Sequence, residues 1–302
     1  MTAVVAADAG SAAPPTKAVA AAEAAFRAAR AEKRRVWLLG GGVFLAALLV
    51  SAEVGDFDMV KIANGVPRLG EFIYRTLPVI RAGHVLEDLG EWFFQLPVWL
   101  GLLAETMQIA VVATALGGGV ALMACFPAAR NMMPHPAIRF VLRRGLEVAR
   151  TVPDLVWALI LVFCLGAGPL AGALAIAIHA AGALGKLFSE VVEEADPGPM
   201  EGVRAAGGSW FALARLAIVP QVLPNFLSYG LLRFEINVRS SSIIGFVGAG
   251  GLGQELKTVI AMGLWTDLSA LILLILGLVI VIDLACERLR HHVIGIIAEA
   301  RQ

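Results

Sequence analysis

The sequence predicts an all-α polytopic membrane protein of about six transmembrane helices, and three observations carry that prediction. Of its 302 residues, 59% are hydrophobic and 16% charged, and the mean hydropathy is +0.80; soluble domains run at roughly 45–50% apolar and about 25% charged. Apolar runs of about 17–25 residues, the length a helix needs to cross the hydrocarbon core, recur along the chain. Alternating ten-residue segments of the kind that build membrane barrels are absent, and only helices or closed barrels satisfy their backbone in lipid.

Residues 1–35 are Ala-rich and end in the basic cluster "FRAARAEKRR", with no apolar stretch ahead of it. They read as a cytoplasmic tail and not as a signal peptide. The first span, 36–52, is short and uncharged. Residues 53–96 carry mixed charge and amphipathic stretches such as "EDLGEWFFQLPVWL", whose aromatic residues suit a membrane interface. The second span covers about Leu102 to Phe126. The polar loop "PAARNMMPHPAIRFVLRR" follows, and its Arg130, Arg139, Arg143 and Arg144 place it in the cytoplasm. A third span, about Leu155 to Leu165, is bent at its start by Pro153. The Ala/Gly-rich fourth covers about Leu170 to Phe188, the fifth Val222 to Val247 and the sixth Leu268 to Ala285, before the basic stretch "CERLRHH" and a cytoplasmic tail at 291–302. Six spans leave both termini cytoplasmic and make 97–290 the core.

Within this apolar chain, Glu201 to Pro220 is out of character, with a Glu, two Arg and the pair Gly207–Gly208. Met200 to Ala206 has the composition of a short helix, Gly207 and Gly208 permit a sharp turn, and Ser209 is a good N-cap for a second helix that Pro220 ends. Glu201, Arg204 and Ala205 share one side of the first helix at i, i+3 and i+4. Such a knob suits a partner's groove; a merely solvated interfacial loop has the same composition.

Span five is also unusual. Arg233, Glu235, Asn237 and Arg239 lie in an otherwise apolar segment ahead of Ser240 and Ser241, and each intramembrane charge costs about 2.5 kcal/mol or more. Glu235 and Arg239 have the i, i+4 spacing of an ion pair, whereas Arg233, Asn237 and Ser241 share a neighbouring face. Two readings stand side by side. In one, Arg233 or Arg239 supplies positive charge to a small anion in a translocation path while Asn237, Ser240 and Ser241 donate hydrogen bonds; in the other, the charges lock helices together. Arg150 and Asp154, flanking Pro153, read as a structural pair. His179 reads as a helix-to-helix hydrogen bond, and the three cysteines as reduced packing residues. No metal-ligand cluster, catalytic triad or G-x-x-x-x-G-K-[ST] loop is present, and "GAGGLG" at 248–253 reads as close backbone packing at a re-entrant turn rather than a dinucleotide site.

Glu201–Gly202–Val203, then Gly207, then Ala217–Ile218–Val219–Pro220 resembles the coupling loop of ATP-binding-cassette importer permeases. Its Glu, Gly and final Pro are in register, and the two Ala and the Ile-x-Leu positions are replaced. The stretches "ETMQIAVVATALGGGVAL", "ARTVPDLVWALILV", "ALGKLFSEVVEEADPGPMEGVRAAG" and "VPQVLPNFLSYGLLRFEINVRSSSIIGFVGAGGLG" resemble phosphonate-type importer permeases over about 96–295. The resemblance implies a type I importer permease fold in the bacterial inner membrane, with a coupling loop at 195–222. It further implies a second permease chain, expected as a homodimer; two cytoplasmic ATPase subunits that bind ATP and Mg; and a periplasmic substrate-binding protein. The chain itself would bind no cofactor and no nucleic acid and catalyse nothing. Glu201, Gly202, Arg204, Ala205, Gly207 and Pro220 would serve ATPase coupling, and span five the passage of phosphonate or a related phosphorus oxyanion. The alternative is a self-sufficient secondary transporter or channel using the span-five charges as a relay.

Overall fold

The computed structural model describes residues 17–81 and 83–299, and the chain divides into two units at Gly70/Glu71. In the first, α1 (Lys17–Val54) is one helix of 38 residues. The predicted span 36–52 is thus the second half of a longer helix: no Pro interrupts the Ala-rich run, so helix propensity carries it back to Lys17. Residues 1–16 of the expected tail lie outside the described residues. Asp58 accepts from the backbone N–H groups of Val60 at 2.7 Å and Lys61 at 3.3 Å, which starts α2 (Met59–Thr76).

The second unit holds the helical bundle. Ahead of its spans, α3 (Val85–Trp92) is tied by Trp92, whose Nε1 donates to Thr266 O at 3.1 Å and Ser269 Oγ at 3.0 Å. Hydrogen bonds and charge from Arg81, which donates from Nη2 to Asp88 Oδ1 at 2.6 Å, hold the Asp88 carboxyl below its ordinary range. The bundle proper comprises α4 (Leu96–Ala128), α5 (Pro136–Thr151), α6 (Asp154–Leu165), α7 (Pro169–Glu193), α8 (Pro197–Ala205), α9 (Trp210–Ala212), α10 (Val219–Ile244), α11 (Gly251–Met262) and α12 (Trp265–Glu299). Five stretches among the described residues are long and apolar enough to cross a bilayer: Ala20–Val54, Leu96–Ala128, Pro169–Glu193, Trp210–Val247 and Trp265–His292. A sixth exists only if α5 and α6, bent by 91° at Val152–Pro153, count together.

That bend bears on the predicted third span. A 12-residue helix such as α6 reaches about 18 Å, short of the roughly 30 Å hydrocarbon core, so it has the length to cross only if α5 is counted with it. The segment 127–144, expected as a polar loop, is correspondingly helical at both ends. Pro127 lies inside α4, and Pro136 opens α5 at a position where its missing N–H costs nothing. Of the expected tail 291–302, residues up to Glu299 continue α12.

Small residues let α7 sit at the centre. A Cβ placed on Gly117 of α4 would stand 2.7 Å from Ala177 O, and one on Gly182 would stand 2.6 Å from Leu146 O of α5. Backbones therefore touch where lipid-like packing needs it. At one end of α7, Leu184 and Phe188 pack with Cys125, Met200, Ile218 and Phe226; at the other, Ile176 packs with Ile109, Ala158 and Ile244. Cys125 and Cys286 are buried, Cys164 is exposed, and all three are free thiols. The Gly-rich turn after α10 folds back as expected. Gly248 and Gly250 have φ of +88° and +82°, and Thr106 Oγ1 of α4 accepts from Leu252 N at 2.9 Å.

Candidate functional site: the coupling knob and the α10 polar stripe

The knob is built by backbone geometry. Asp196 caps α8 by accepting from Gly198 N at 2.9 Å. At the other end Gly207, with φ +76°, takes the left-handed conformation. Its N–H bonds Arg204 O at 2.9 Å, and Gly208 N–H bonds Val203 O at 2.9 Å. These two bonds form a Schellman cap, which a residue with a side chain fills poorly. Gly208 is required for a separate reason, since a Cβ there would stand 2.5 Å from Val203 Cγ1 and 2.8 Å from Val203 O. Ser209 then caps α9, accepting from Ala212 N at 3.3 Å. Glu201, Gly202, Arg204, Ala205 and Gly207 all remain exposed.

Residues that sequence reasoning passed over hold the knob in place. Met200 is 3% exposed and plugs the bundle end. Asn131 Nδ2 donates to Val192 O at 2.7 Å, Trp210 Nε1 donates to Met132 O at 3.0 Å, and Arg204 Nη2 donates to Asn131 O at 3.2 Å. Glu193, at the end of α7, pairs with Arg143 and accepts from Arg130 N at 2.6 Å. The 129–135 segment is therefore a clip over the knob. Glu193, a carboxylate at the end of an apolar helix, and Arg143, in the Arg-rich stretch that follows the preceding span, were the available sequence signal.

Pro220 corrects an expectation. It does not end a helix; it sits exposed in the first turn of α10, away from the capped turn at 206–208. Leu213–Ile218 is a π-helix in which Val219 N–H bonds Ala214 O. The wider i→i+5 turn accommodates a residue that cannot donate, so the chain runs helically from Trp210 to Ile244.

The six stripe residues do not converge on one site; four of them fan out to three helices. Arg233 Nη2 meets His179 Nδ1 of α7 at 2.6 Å, and His179 Nε2 meets Arg150 O of α5 at 3.0 Å. A guanidinium only donates, so Nδ1 accepts and Nε2 carries the ring proton. His179 is the helix-to-helix bond expected of it. Asn237 Nδ2 donates to Thr114 Oγ1 of α4 at 2.8 Å, and Ser241 Oγ to Val238 O at 2.8 Å. The expected Glu235–Arg239 pair is replaced by two contacts to α12. Arg290 Nη2 lies 2.7 Å from Glu235 Oε1, and Arg239 Nη2 lies 3.2 Å from Asp283 Oδ1. Packing of α12 along α10 brings a partner to each residue, which local spacing does not reveal. Arg150 and Asp154 likewise form no ion pair among the described residues. The bend separates them, and Asp154 Oδ1 accepts from Leu155 N at 2.9 Å.

Arg233, Glu235, Asn237 and Ser241 are buried, Ser240 is half-buried and Arg239 is exposed. Arg233 Nε and Asn237 Oδ1 are buried with no hydrogen-bond partner among the described residues. An apolar cavity of about 430 Å³ lies beside Thr114, lined by Gly118, Phe188, Phe226 and Phe234 among others. None of the six stripe residues lines it. Among the described residues, no group of three or more His, Cys, Asp or Glu is placed to hold a metal.

Comparison with known proteins accords with this architecture. The family described as "Binding-protein-dependent transport system inner membrane component" matches residues 117–294. The chain is 34% identical over 250 residues to the phosphite transport system permease protein PtxC of Stutzerimonas stutzeri, covering 83% of this chain and 86% of that one. It is 41% identical over 246 residues to the phosphate-import permease protein PhnE of Mycolicibacterium smegmatis, covering 81% of this chain and 44% of that longer one. Among solved structures, the MetNI methionine ABC transporter in inward-facing conformations matches with TM-score 0.56 at 21% identity, covering 66% of this chain and 97% of that one. That likeness shows the fold. With the family match covering the knob and most of the bundle, the chain belongs to the inner membrane components of binding-protein-dependent transport systems, as a transport permease rather than an enzyme.

Proposed function

We propose that this permease forms the translocation path of an ATP-driven importer for a phosphonate or a related phosphorus oxyanion. The exposed, double-capped knob at 196–212 receives the push of a separate ATPase. The observation that carries the coupling role is the pairing of exposure with rigidity. Glu201, Gly202, Arg204, Ala205 and Gly207 face outward, yet the clip at 129–135 fixes the knob to the ends of α4 and α7. The substrate class is supported by relatives named for phosphite and phosphate transport.

In this reading the knob and the Arg-rich edge beside it face the cytoplasm, both termini lie on that side, and ATP and Mg belong to two ATPase partners. A second permease chain, taken as a copy of this one, completes the path, and a periplasmic binding protein delivers the anion. Of the α10 stripe, Arg233 and Asn237 retain unused hydrogen-bonding atoms, and Arg239 and Ser240 remain accessible; these four are the path candidates. Glu235 holds α12. Against the ion-relay alternative stands the family match, and Glu235 and Arg239 each lie against a partner on α12.

The test is co-purification of this chain with its ATPase in mild detergent, alongside uptake of labelled phosphite and methylphosphonate, for the native chain and Glu201→Ala. The expected result is ATPase retained by the native chain and lost from the variant, with uptake lost in parallel. Retention and uptake unchanged by the substitution would overturn the coupling role, and uptake of neither anion would overturn the substrate class.

A further inference from the structure

We propose that the arginine-lined cavity at the start of α5 is a binding site for a free phosphate dianion, which bridges α5 to the 129–135 clip. Arg130, Arg139, Arg143 and Arg144 line a cavity of about 630 Å³ beside Phe140. One face of α5 supplies all of these but Arg130: Pro136, Arg139, Phe140, Arg143 and Arg144 fall at i, i+3, i+4, i+7 and i+8. Leu146, 8% exposed, sets the rotation of that face by packing on Gly185 of α7, where a Cβ would stand 2.6 Å from Leu146 Cδ2. Arg143 is held by its Nε, which donates to Ala128 O at 2.9 Å, and by its Nη2, which pairs with Glu193. Arg144 stands 5.6 Å from the Phe140 ring centroid.

The charge balance selects the ligand. Two carboxylates answer the four guanidiniums: Glu193 pairs with Arg143, and Glu147 Oε2 lies 2.5 Å from Arg144 Nη1. Neither Arg130 nor Arg139 forms a side-chain ion pair among the described residues, and Arg139 Nη1 reaches only Met133 O, at 3.5 Å. Lys186 and Glu190 of α7, which adjoin Arg143, pair with each other at 3.6 Å and leave the balance unchanged. Two positive charges remain, matching the roughly −1.5 to −2 that a phosphate monoester carries at pH 7. A lipid phosphodiester, with a single charge, matches them less well. Guanidinium forks donate paired hydrogen bonds to phosphate oxygens, and the first turn of α5, which lines the cavity through Pro136 and Ala137, adds the positive end of its dipole. The clip is already tied on one side, where Glu193 Oε1 accepts from Arg130 N at 2.6 Å. A dianion shared by the Arg130 side chain and the guanidiniums of α5 ties it on a second. This inference requires neither the coupling role of the knob nor any choice of transported anion.

The experiment titrates inorganic phosphate into the full chain in mild, phosphate-free detergent by calorimetry, with sodium chloride of matched ionic strength as the blank. Saturable binding in the millimolar range or tighter is expected, with a rise in the thermal midpoint, since a ligand of the folded state stabilises it. Arg139→Gln should weaken binding by about tenfold or more, the effect of losing charge-assisted hydrogen bonds. Arg139→Lys, which keeps the charge and loses the fork, should fall between the two. Arg130→Gln, at an exposed residue, gives a second reading of similar size should the Arg139 variant misfold. Phospholipid retained through detergent washing, counted by mass spectrometry, should be the same in native and variant chains. Absence of saturable binding by the native chain overturns the proposal. So does an affinity unchanged in both Gln variants, which would place the bound phosphate elsewhere on the chain. Loss of phosphatidylglycerol from the variants overturns it as well, by assigning the cavity to a lipid headgroup.

Discussion

The knob at 196–212 and the stripe at 233–242 both concentrate polar groups in an apolar chain, and they are stabilised in opposite ways. The knob owes its shape to local caps, from the side chains of Asp196 and Ser209 and the main chain at Gly207, while most of its side chains point outward. The stripe is a regular helix whose shape requires nothing unusual, and its side chains reach inward to α4, α7 and α12. Glycine geometry matters in the first and pairing in the second. A surface that must fit another protein keeps its side chains free; a buried charge in a membrane must be answered within reach.

The largest expected effect comes from breaking a stripe pair. Glu235→Ala leaves Arg290 without its carboxylate at a site where Glu235 is 8% exposed. A loss of about 3–5 kcal/mol is expected, read as a collapse of the thermal midpoint in detergent. Replacing both residues by methionine should recover most of it. A single variant as stable as the native chain would mean that the pair is not what holds α12 to α10.

A smaller effect is expected at the knob. Gly208→Ala forces its new methyl against Val203, at a cost of about 1–3 kcal/mol, and should reduce ATPase retention more than it lowers the melting midpoint. A fall in the midpoint with retention intact would move the knob into the same category as the stripe. Smallest of all is Gly202→Ala. A Cβ there meets nothing within 4 Å, so helix propensity alone should stabilise α8 by up to about 1 kcal/mol. The check is the thermal midpoint of the isolated chain, where a decrease would show that α8 is not the helix described.

Those contrasts also explain what the sequence revealed. Spans two, four, five and six were legible because each is a long apolar run, and the knob because Gly207, Gly208 and Ser209 carry local backbone chemistry. The partners of the stripe were not legible. Thr114, His179, Asp283 and Arg290 lie far along the chain from α10, and i, i+4 spacing led to a pair between Glu235 and Arg239 that α12 replaces. Pro153 announced a bend, but not that the Arg-bearing segment before it is itself a helix, set at 91° to the one that follows. Pro220 was read by its ordinary effect on an α-helix, and the π-turn ahead of it cancels that effect.

That π-turn fixes an angular phase. A π-turn amounts to one residue more than an α-helix needs for the same path, and one residue is about 100° of rotation. Deleting a single residue within Leu213–Ile218 would therefore remove the extra residue, at the cost of leaving Pro220 in a plain α-helix. The knob would then face a different compass direction across the membrane surface. In this chain the heading of the knob relative to the helix bearing Arg233 and Asn237 is set by a count of residues, and an insertion or deletion there would turn the knob as well as disturb the packing of Leu213 and Ile218.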